Sequence, residues 1–285
     1  MVKDKTGLPT VTKFYNHLNR IKVTCISAPK LKHLETYLSE FVHATWADTP
    51  EDFGTNETSY DTVVKTFKGE YLPTALETIQ VTFRVEGLDL IDVTHLIRHR
   101  TLSFSAQCTA DRDLREDDCL VKPSILNSKY YAQYMTIVQQ AKELYAQMVD
   151  EREVSILDAR TILPRSLSNF YYVSGNVKDI LAFIRTRLDE QIQPQSDNVV
   201  AMHMFLELAK QYPFIRKMIT IGGVDKFYCD TVNSGTNSNI YMPKPENVPF
   251  IKTTAKFQYP PRDTMKGSET YLEIKERIKQ WLDII

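Results

Sequence analysis

The sequence predicts a soluble protein of the α/β (α+β) class, with strand and helix patterns in one chain. The first observation is Ile79, Val81, Phe83 and Val85, which alternate with polar residues as a half-buried strand does. The second is a set of apolar residues at helical spacing, among them Leu31, Leu34, Tyr37, Leu38, Phe41 and Val42. The third is composition: 285 residues with 42% hydrophobic and 25% charged side chains are those of a globular chain. A formal net charge of -1 gives no global electrostatic case for a nucleic-acid partner. No apolar run is long enough to span a bilayer, and Met1 to Lys5 open no signal-peptide core. The cysteines Cys25, Cys108, Cys119 and Cys229 form no C-x-x-C pair, and the histidines show no metal spacing. The expectation is a reducing, cytoplasmic setting and no metal site. For a virus-encoded chain that setting is the host cytoplasm. Neither a P-loop nor a G-x-G-x-x-G is found.

Taken in order, Ile21 to Ile26 reads as a strand, closed by Pro29. The helix from Leu31 ends near Ala44-Thr45-Trp46. Residues 47–60 are a polar loop, and a short helix covers Asp61 to Lys68. The segment Leu72-Pro73-Thr74-Ala75-Leu76-Glu77 leads into the alternating strand. Leu90, Val93, Leu96 and Ile97 then recur at helical spacing and deliver Arg98-His99-Arg100 to a helix end. Three adjacent cationic groups either complement the helix dipole in solvent or meet an anion. Leu102 to Asp118 reads as a loop crowded with Asp111, Asp113, Glu116, Asp117 and Asp118.

Ser128 to Val149 predicts a long amphipathic helix, with Tyr131, Tyr134, Ile137, Val138, Ala141, Leu144, Tyr145 and Met148 as its apolar stripe. Val177, Ile180, Leu181 and Ile184 give another helix. Asn198 to Tyr212 gives one more, broken by Pro213. Residues 223–265 lack periodicity, and Thr270 to Ile285 closes the chain as an amphipathic helix. The expected division is one unit over 1–222 and an extension over 223–285.

Four ordered segments between residues 30 and 220 resemble the flavin-dependent thymidylate synthases. That family's signature reads R-H-R, seven residues, Ser, one residue, Arg. Arg98-His99-Arg100 and Ser103 fit it, whereas Cys108 stands at its serine and Ala110 at its arginine. Ser105 and Ala106 replace the family's asparagine and glutamate. Thr74, Glu77 and Val81-Thr82-Phe83 are similar to a second motif, H-x-T-P-F-E-H followed by F-T-F, with Leu72 and Thr78 in place of its histidines. Ala159-Arg160 with Leu163-Pro164 resembles an A-R-x-x-L-P run. Asn176, Lys178 (for an arginine) and Arg187 follow in register, and Thr45-Trp46 resembles a Ser-Phe-like pair after the first helix.

The resemblance implies a central, mostly antiparallel sheet flanked by helices, and a homotetramer with shared active sites. It implies FAD as cofactor, with NADPH and 5,10-methylenetetrahydrofolate as co-substrates and dUMP as the pyrimidine nucleotide. The flavin residues would be Thr45, Thr74, Glu77, Arg98, His99, Arg100, Thr101, Asn176 and Lys178. The nucleotide would meet His95, Arg98, Cys108, Arg160 and Arg187. Arg187, His99 and Arg100 would act in the chemistry, Arg187 by stabilising negative charge that develops on the pyrimidine oxygen. In this chain Arg112 or Arg115 stands near enough to supply the charge that Ala110 lacks. Cys108 is an alternative nucleophile for C6, opposed by the nearby acids, since a thiolate needs an electropositive setting. Two other readings stay open: hydroxymethylation of dUMP or dCMP, in which water traps the methylene adduct, and a non-catalytic member with a structural role.

Overall fold

The computed structural model describes residues 12–49, 58–68, 70–110, 112–187 and 195–218. The expected extension over 223–285, with its closing helix, lies outside them, as do Leu188 to Gln191 and part of the 47–60 loop.

Six strands are present among the described residues: β1 (Phe14–Asn16), β2 (Lys22–Ser27), β3 (Gln80–Leu88), β4 (Ser103–Ala106), β5 (Cys119–Val121) and β6 (Asn169–Asn176). The main sheet has the order β2-β3-β6-β4, and every pairing in it is antiparallel. β1 and β5 form a separate parallel pair. The alternation in 79–85 is thus a central strand. Val81, Phe83 and Val85 stand opposite Gly175, Val173 and Tyr171, and every side chain of this face but the glycine's is fully buried. The other face carries a bond between the hydroxyls of Thr82 and Ser174 at 2.9 Å.

The helices are α1 (His17–Arg20), α2 (Leu31–His43), α3 (Ser59–Lys68), α4 (Thr74–Glu77), α5 (Leu90–Leu96), α6 (Pro123–Leu126), α7 (Tyr131–Glu151), α8 (Ile156–Ala159), α9 (Val177–Arg187) and α10 (Gln195–Gln211). Leu34 and Leu38 of α2, Phe67 of α3, Phe183 of α9 and Phe205 of α10 join Phe83 in one continuous core. A smaller core of Leu114, Cys119, Val138, Tyr145, Ala159 and Leu167 lies under α7. Among the described residues no helix is long and apolar enough to cross a membrane.

Two expectations need correcting. Leu102 to Asp118 is not a loop throughout, because Ser103 to Ala106 forms the edge strand β4 against β6. Four residues are too few for alternation to show, and the pairing is long-range. The stripe on α7 is also split. Val138 and Tyr145 are buried, but Ile137 and Leu144 are 57% and 42% exposed. The core beneath is small, so it covers only part of a broad apolar face. Lys142 is buried in their place. Its Nζ donates to the Asp117 carbonyl at 2.6 Å, and burial lowers its pKa.

Gly87 adopts φ +76°, and a Cβ there would lie 2.0 Å from the Arg20 carbonyl oxygen. Only glycine fits this bend between α1 and the end of β3.

Candidate functional site

The site is built where α5, α9 and α10 meet. Asp89 caps α5, its carboxylate accepting from the Asp92 backbone N–H at 2.8 Å. The helix ends at Leu96, so His95 sits in its last turn, and Arg98, His99 and Arg100 follow on the way into β4. Asn176 and Asp179 cap α9 reciprocally. The Asp179 N–H donates to Asn176 Oδ1 at 2.9 Å, and Asn176 Nδ2 donates to Asp179 Oδ2 at 2.9 Å. Arg187 is the last residue of α9. The first turn of α10 supplies Ser196, Asp197 and Asn198, all buried.

Arg187, His95 and Asp197 converge there. Arg187 Nη1 donates to Asp197 Oδ2 at 2.9 Å, and Nη2 donates to the His95 carbonyl at 3.2 Å. His95 Nδ1 is 2.9 Å from the same Asp197 oxygen. Asn198 Nδ2 donates to the Arg187 carbonyl at 2.7 Å, tying α9 to α10. Asp197 is fully buried, whereas the His95 side chain is 35% exposed. Arg187 and His99 both lie against Phe183, with the guanidinium 5.6 Å and the imidazole 5.1 Å from the ring centre. Burial, reinforced by the Arg187 charge, lowers the His99 pKa to about 4. His99 is therefore neutral near pH 7.

A second cluster adjoins it one turn earlier on α5. Lys122 Nζ donates to Asp92 Oδ1 and Oδ2 at 2.8 and 2.9 Å and to His17 Nδ1 at 2.9 Å, and lies 3.0 Å from Asp89 Oδ2. His17 Nε2 stands 2.7 Å from Asp92 Oδ2, off the angle of an aligned hydrogen bond. Ser196 Oγ donates to Asp92 Oδ1 at 2.8 Å. Burial opposes ionisation of Asp92, yet His17 and Lys122 outweigh it and hold its carboxyl well below the usual range. Burial, with the Asp92 charge, raises Asp89. His17, Asp89 and Asp92 are close enough to hold a metal ion, but the Lys122 ammonium fills their centre and supplies the balancing cation.

The flavin residues implied by the resemblance gather at one end of the sheet. Gln80 pairs with Asn176, and the Val177 N–H donates to the Ile79 carbonyl at 2.8 Å. Glu77 and Lys178 are joined there as an ion pair. Thr74 opens α4, and Arg98 and Arg100 are exposed with no ion pair to a described residue. Thr101 is exposed beside them. Thr45 lies just past α2, next to Trp46, which is 59% exposed and tilted against the rings of His43 and Tyr71.

The expected phosphate loop lies elsewhere. β4 carries the chain from Ser103, opposite Ser174, to Ala106, opposite Tyr171, about 10 Å along the sheet. Beyond it Cys108 is exposed, and its Sγ accepts from the Ala110 N–H at 3.3 Å. Arg160 Nη1 donates to Thr109 Oγ1 at 3.0 Å and its Nε to the Leu157 carbonyl at 3.0 Å. Arg112 is paired with Asp117. Arg115 is paired with Asp113 and Asp150, each at 2.7 Å. Both arginines that could stand in for the charge missing at Ala110 are thus paired with carboxylates. A cavity of about 440 Å³, lined by Arg20, Lys22, Glu86, Gln107 and Asn169, lies at this end of β3 and β6, away from Arg187.

One polypeptide therefore joins His95 and Arg187, and separately Arg160 and the Cys108 loop, without joining the two groups. Nothing in the chain's pattern singles out Asp197 or the His17 cluster. An acid in a first helical turn reads as a dipole partner, and His17 and Lys122 are far from Asp92 in sequence.

The family described as thymidylate synthase complementing protein matches residues 27–214. The flavin-dependent thymidylate synthase of Pyrococcus furiosus is 26% identical over 205 residues, covering 67% of this chain and 80% of that protein. The crystal structure of the UMP/dUMP methylase PolB from Streptomyces cacaoi, bound with 5-Br dUMP, aligns with a TM-score of 0.55 at 17% identity, over 70% of this chain and 93% of that one. Thymidylate Synthase X from Helicobacter pylori, with FAD and dUMP, aligns with a TM-score of 0.51 at 16% identity, over 68% and 97%. These two likenesses support the fold, an antiparallel sheet flanked by helices. The chain belongs to the thymidylate synthase complementing protein family, that of the flavin-dependent thymidylate synthases.

Proposed function

We propose that this protein transfers a one-carbon unit from methylenetetrahydrofolate to C5 of a pyrimidine deoxynucleotide, dUMP to dTMP, with FAD as cofactor and NADPH as reductant. The observation that carries the reading is the convergence of Arg187, His95 and neutral His99 in the family's order and register. C5 of a uracil ring becomes nucleophilic only when negative charge can rest on the ring oxygens. A guanidinium held in a largely buried setting, here 6% exposed, stabilises that charge better than one in water.

The residues present are compatible with FAD at the Asn176 end of the sheet. Arg98 and Arg100 are the exposed cations for its diphosphate, with Thr101, Thr74 and Thr45 as hydroxyl donors and neutral His99 beside the ring system. Lys178 is compensated by Glu77 and orients that carboxylate rather than holding a phosphate alone. Bound FAD supplies the redox and one-carbon relay chemistry. Arg98 would also reach the nucleotide, and Arg100 the folate side.

Arg160 and the backbone donors around Cys108 would take the nucleotide phosphate. Because they lie apart from His95 and Arg187 in one chain, a homotetramer with active sites shared between subunits completes the site. The exposed Ile137 and Leu144 on α7 fit such an assembly. Cys108, Ala110 and the neutralised Arg112 and Arg115 favour a second reading on specific grounds: an altered phosphate subsite would suit hydroxymethylation of dUMP or dCMP. A non-catalytic role is the third.

The deciding experiment is an absorbance spectrum of purified protein with and without FAD, then turnover of dUMP and dCMP with methylenetetrahydrofolate, with and without NADPH. A flavin band at about 450 nm and a methylated product support the main reading. A hydroxymethyl product replaces it with the second. No bound flavin at micromolar FAD overturns the flavin-dependent reading.

A further inference from the structure

His95 and His17 each face a buried carboxylate, and each must carry its proton on the nitrogen that does so, since a carboxylate only accepts. For His95 that nitrogen is Nδ1, 2.9 Å from Asp197 Oδ2. Arg187 Nη1 does not claim the other nitrogen. It is 3.2 Å from Nδ1 and 3.4 Å from Nε2, so it lies over the face of the ring rather than along either lone pair. The in-plane lone pair of Nε2 has no other partner among the described residues, and the ring is one-third exposed. The cluster thus presents a donor, the Arg187 guanidinium, and beside it an acceptor, His95 Nε2.

We propose that Asp197 is a positioning residue that fixes His95 in the Nδ1–H form, so that Nε2 accepts the ring N–H of a uracil base while Arg187 donates to the adjacent carbonyl. The inference rests on the nucleotide reading above and adds what sets base choice. A uracil ring has a donor at N3 flanked by two carbonyl acceptors. A cytosine ring has a lone pair at N3, which would face the Nε2 lone pair. Asp197 acts through His95 and Arg187 together. Its single oxygen Oδ2 meets both of them, so the spacing between donor and acceptor is set by one atom. The buried Ser196 and Asn198 on either side, bonded to Asp92 and to the Arg187 carbonyl, hold that atom in place.

The test uses the full chain with nitrogen-15 in its histidine rings. Long-range nitrogen–proton spectra, with the His95 signals identified by their loss in His95→Gln, should show Nδ1 protonated and Nε2 bare, and Asp197→Asn should change that pattern. An Nε2–H form in the parent protein, or an unchanged pattern in Asp197→Asn, overturns the proposal. Calorimetry should then show dUMP bound at least tenfold more tightly than dCMP. His95→Gln, whose amide carbonyl can still accept, should keep most of that preference, and His95→Leu should abolish it. His95→Gln also leaves the Asp197–Arg187 pair intact and covers the case in which Asp197→Asn does not fold. Equal binding of the two nucleotides, or tighter dCMP, overturns the proposal while leaving the nucleotide reading standing. The Nδ1–H form without binding of either nucleotide instead removes the nucleotide reading, and the proposed ligand with it.

Discussion

His17 and His95 are placed alike and used differently. Each faces a buried aspartate, Asp92 on α5 or Asp197 at the start of α10, and each has a cation beside it. In the first cluster Lys122 donates to the second ring nitrogen, and His17 is fully buried. In the second, Arg187 lies over the ring, and Nε2 is left on a partly exposed imidazole. The first cluster closes its charges on one another out of reach of solvent at His17, and so holds structure together. The second leaves Nε2 on a partly exposed ring, and that direction is where a ligand can be read. What separates a structural ion cluster from a binding site here is therefore whether a polar group left over reaches solvent, not the types of residue.

The sharpest way to break this comparison is Asp92→Asn. It leaves Lys122 and His17 without their main carboxylate partner inside the protein, and stability should fall by about 3–5 kcal/mol in urea titration. Parallel substitutions at the histidines test the contrast directly. His17→Gln should lose about 2 kcal/mol, the cost of unsatisfied buried groups. His95→Gln should lose less than about 1 kcal/mol while still changing nucleotide affinity. Equal losses at the two positions would contradict the distinction.

His99 offers a pH test. Its folded pKa is lowered to about 4 from an ordinary 6.5, so between those values the unfolded chain binds the proton and the native state does not. Its contribution is fully present above about 6.5 and is lost as the pH falls towards about 4. Thermal melts across that range should slope downward with acid in the parent protein and less so in His99→Gln. The smallest effect belongs to Arg112→Ala. Its pair with Asp117 is partly exposed, and stability should change by about 0.5 kcal/mol or less. A large drop in nucleotide affinity in that variant would show that Arg112 leaves Asp117 when ligand binds.

Local pattern carried much of the fold. The central strand β3 was legible because alternation over 79–85 reports one buried face, and α2, α9 and α10 because their apolar stripes meet the main core. β4 and β6 were not legible as strands, since their pairing joins segments far apart. The stripe on α7 overstated burial because spacing shows an apolar face without showing how much of it is covered. For the site, the motifs offered His95, His99 and Arg187 as candidates; that Arg187 contacts His95 and shares Phe183 with His99 is seen only in the structure. Asp197, Lys122 and His17 were invisible, because their roles exist only through contacts spanning about a hundred residues. The acids of the loop after β4 were plain in the sequence, but not that they would neutralise Arg112 and Arg115.

The same long reach has a kinetic consequence. The Lys122–His17 contact closes over 105 residues and the Ser196–Asp92 contact over 104. Neither can form until the sheet has paired and α10 has docked, because loop closure on that scale must come first. The cluster should therefore be absent from the folding transition state. Asp92→Asn should leave the refolding rate nearly unchanged and speed unfolding by almost its whole stability loss, so that Lys122 serves as a latch on the finished fold rather than a guide towards it.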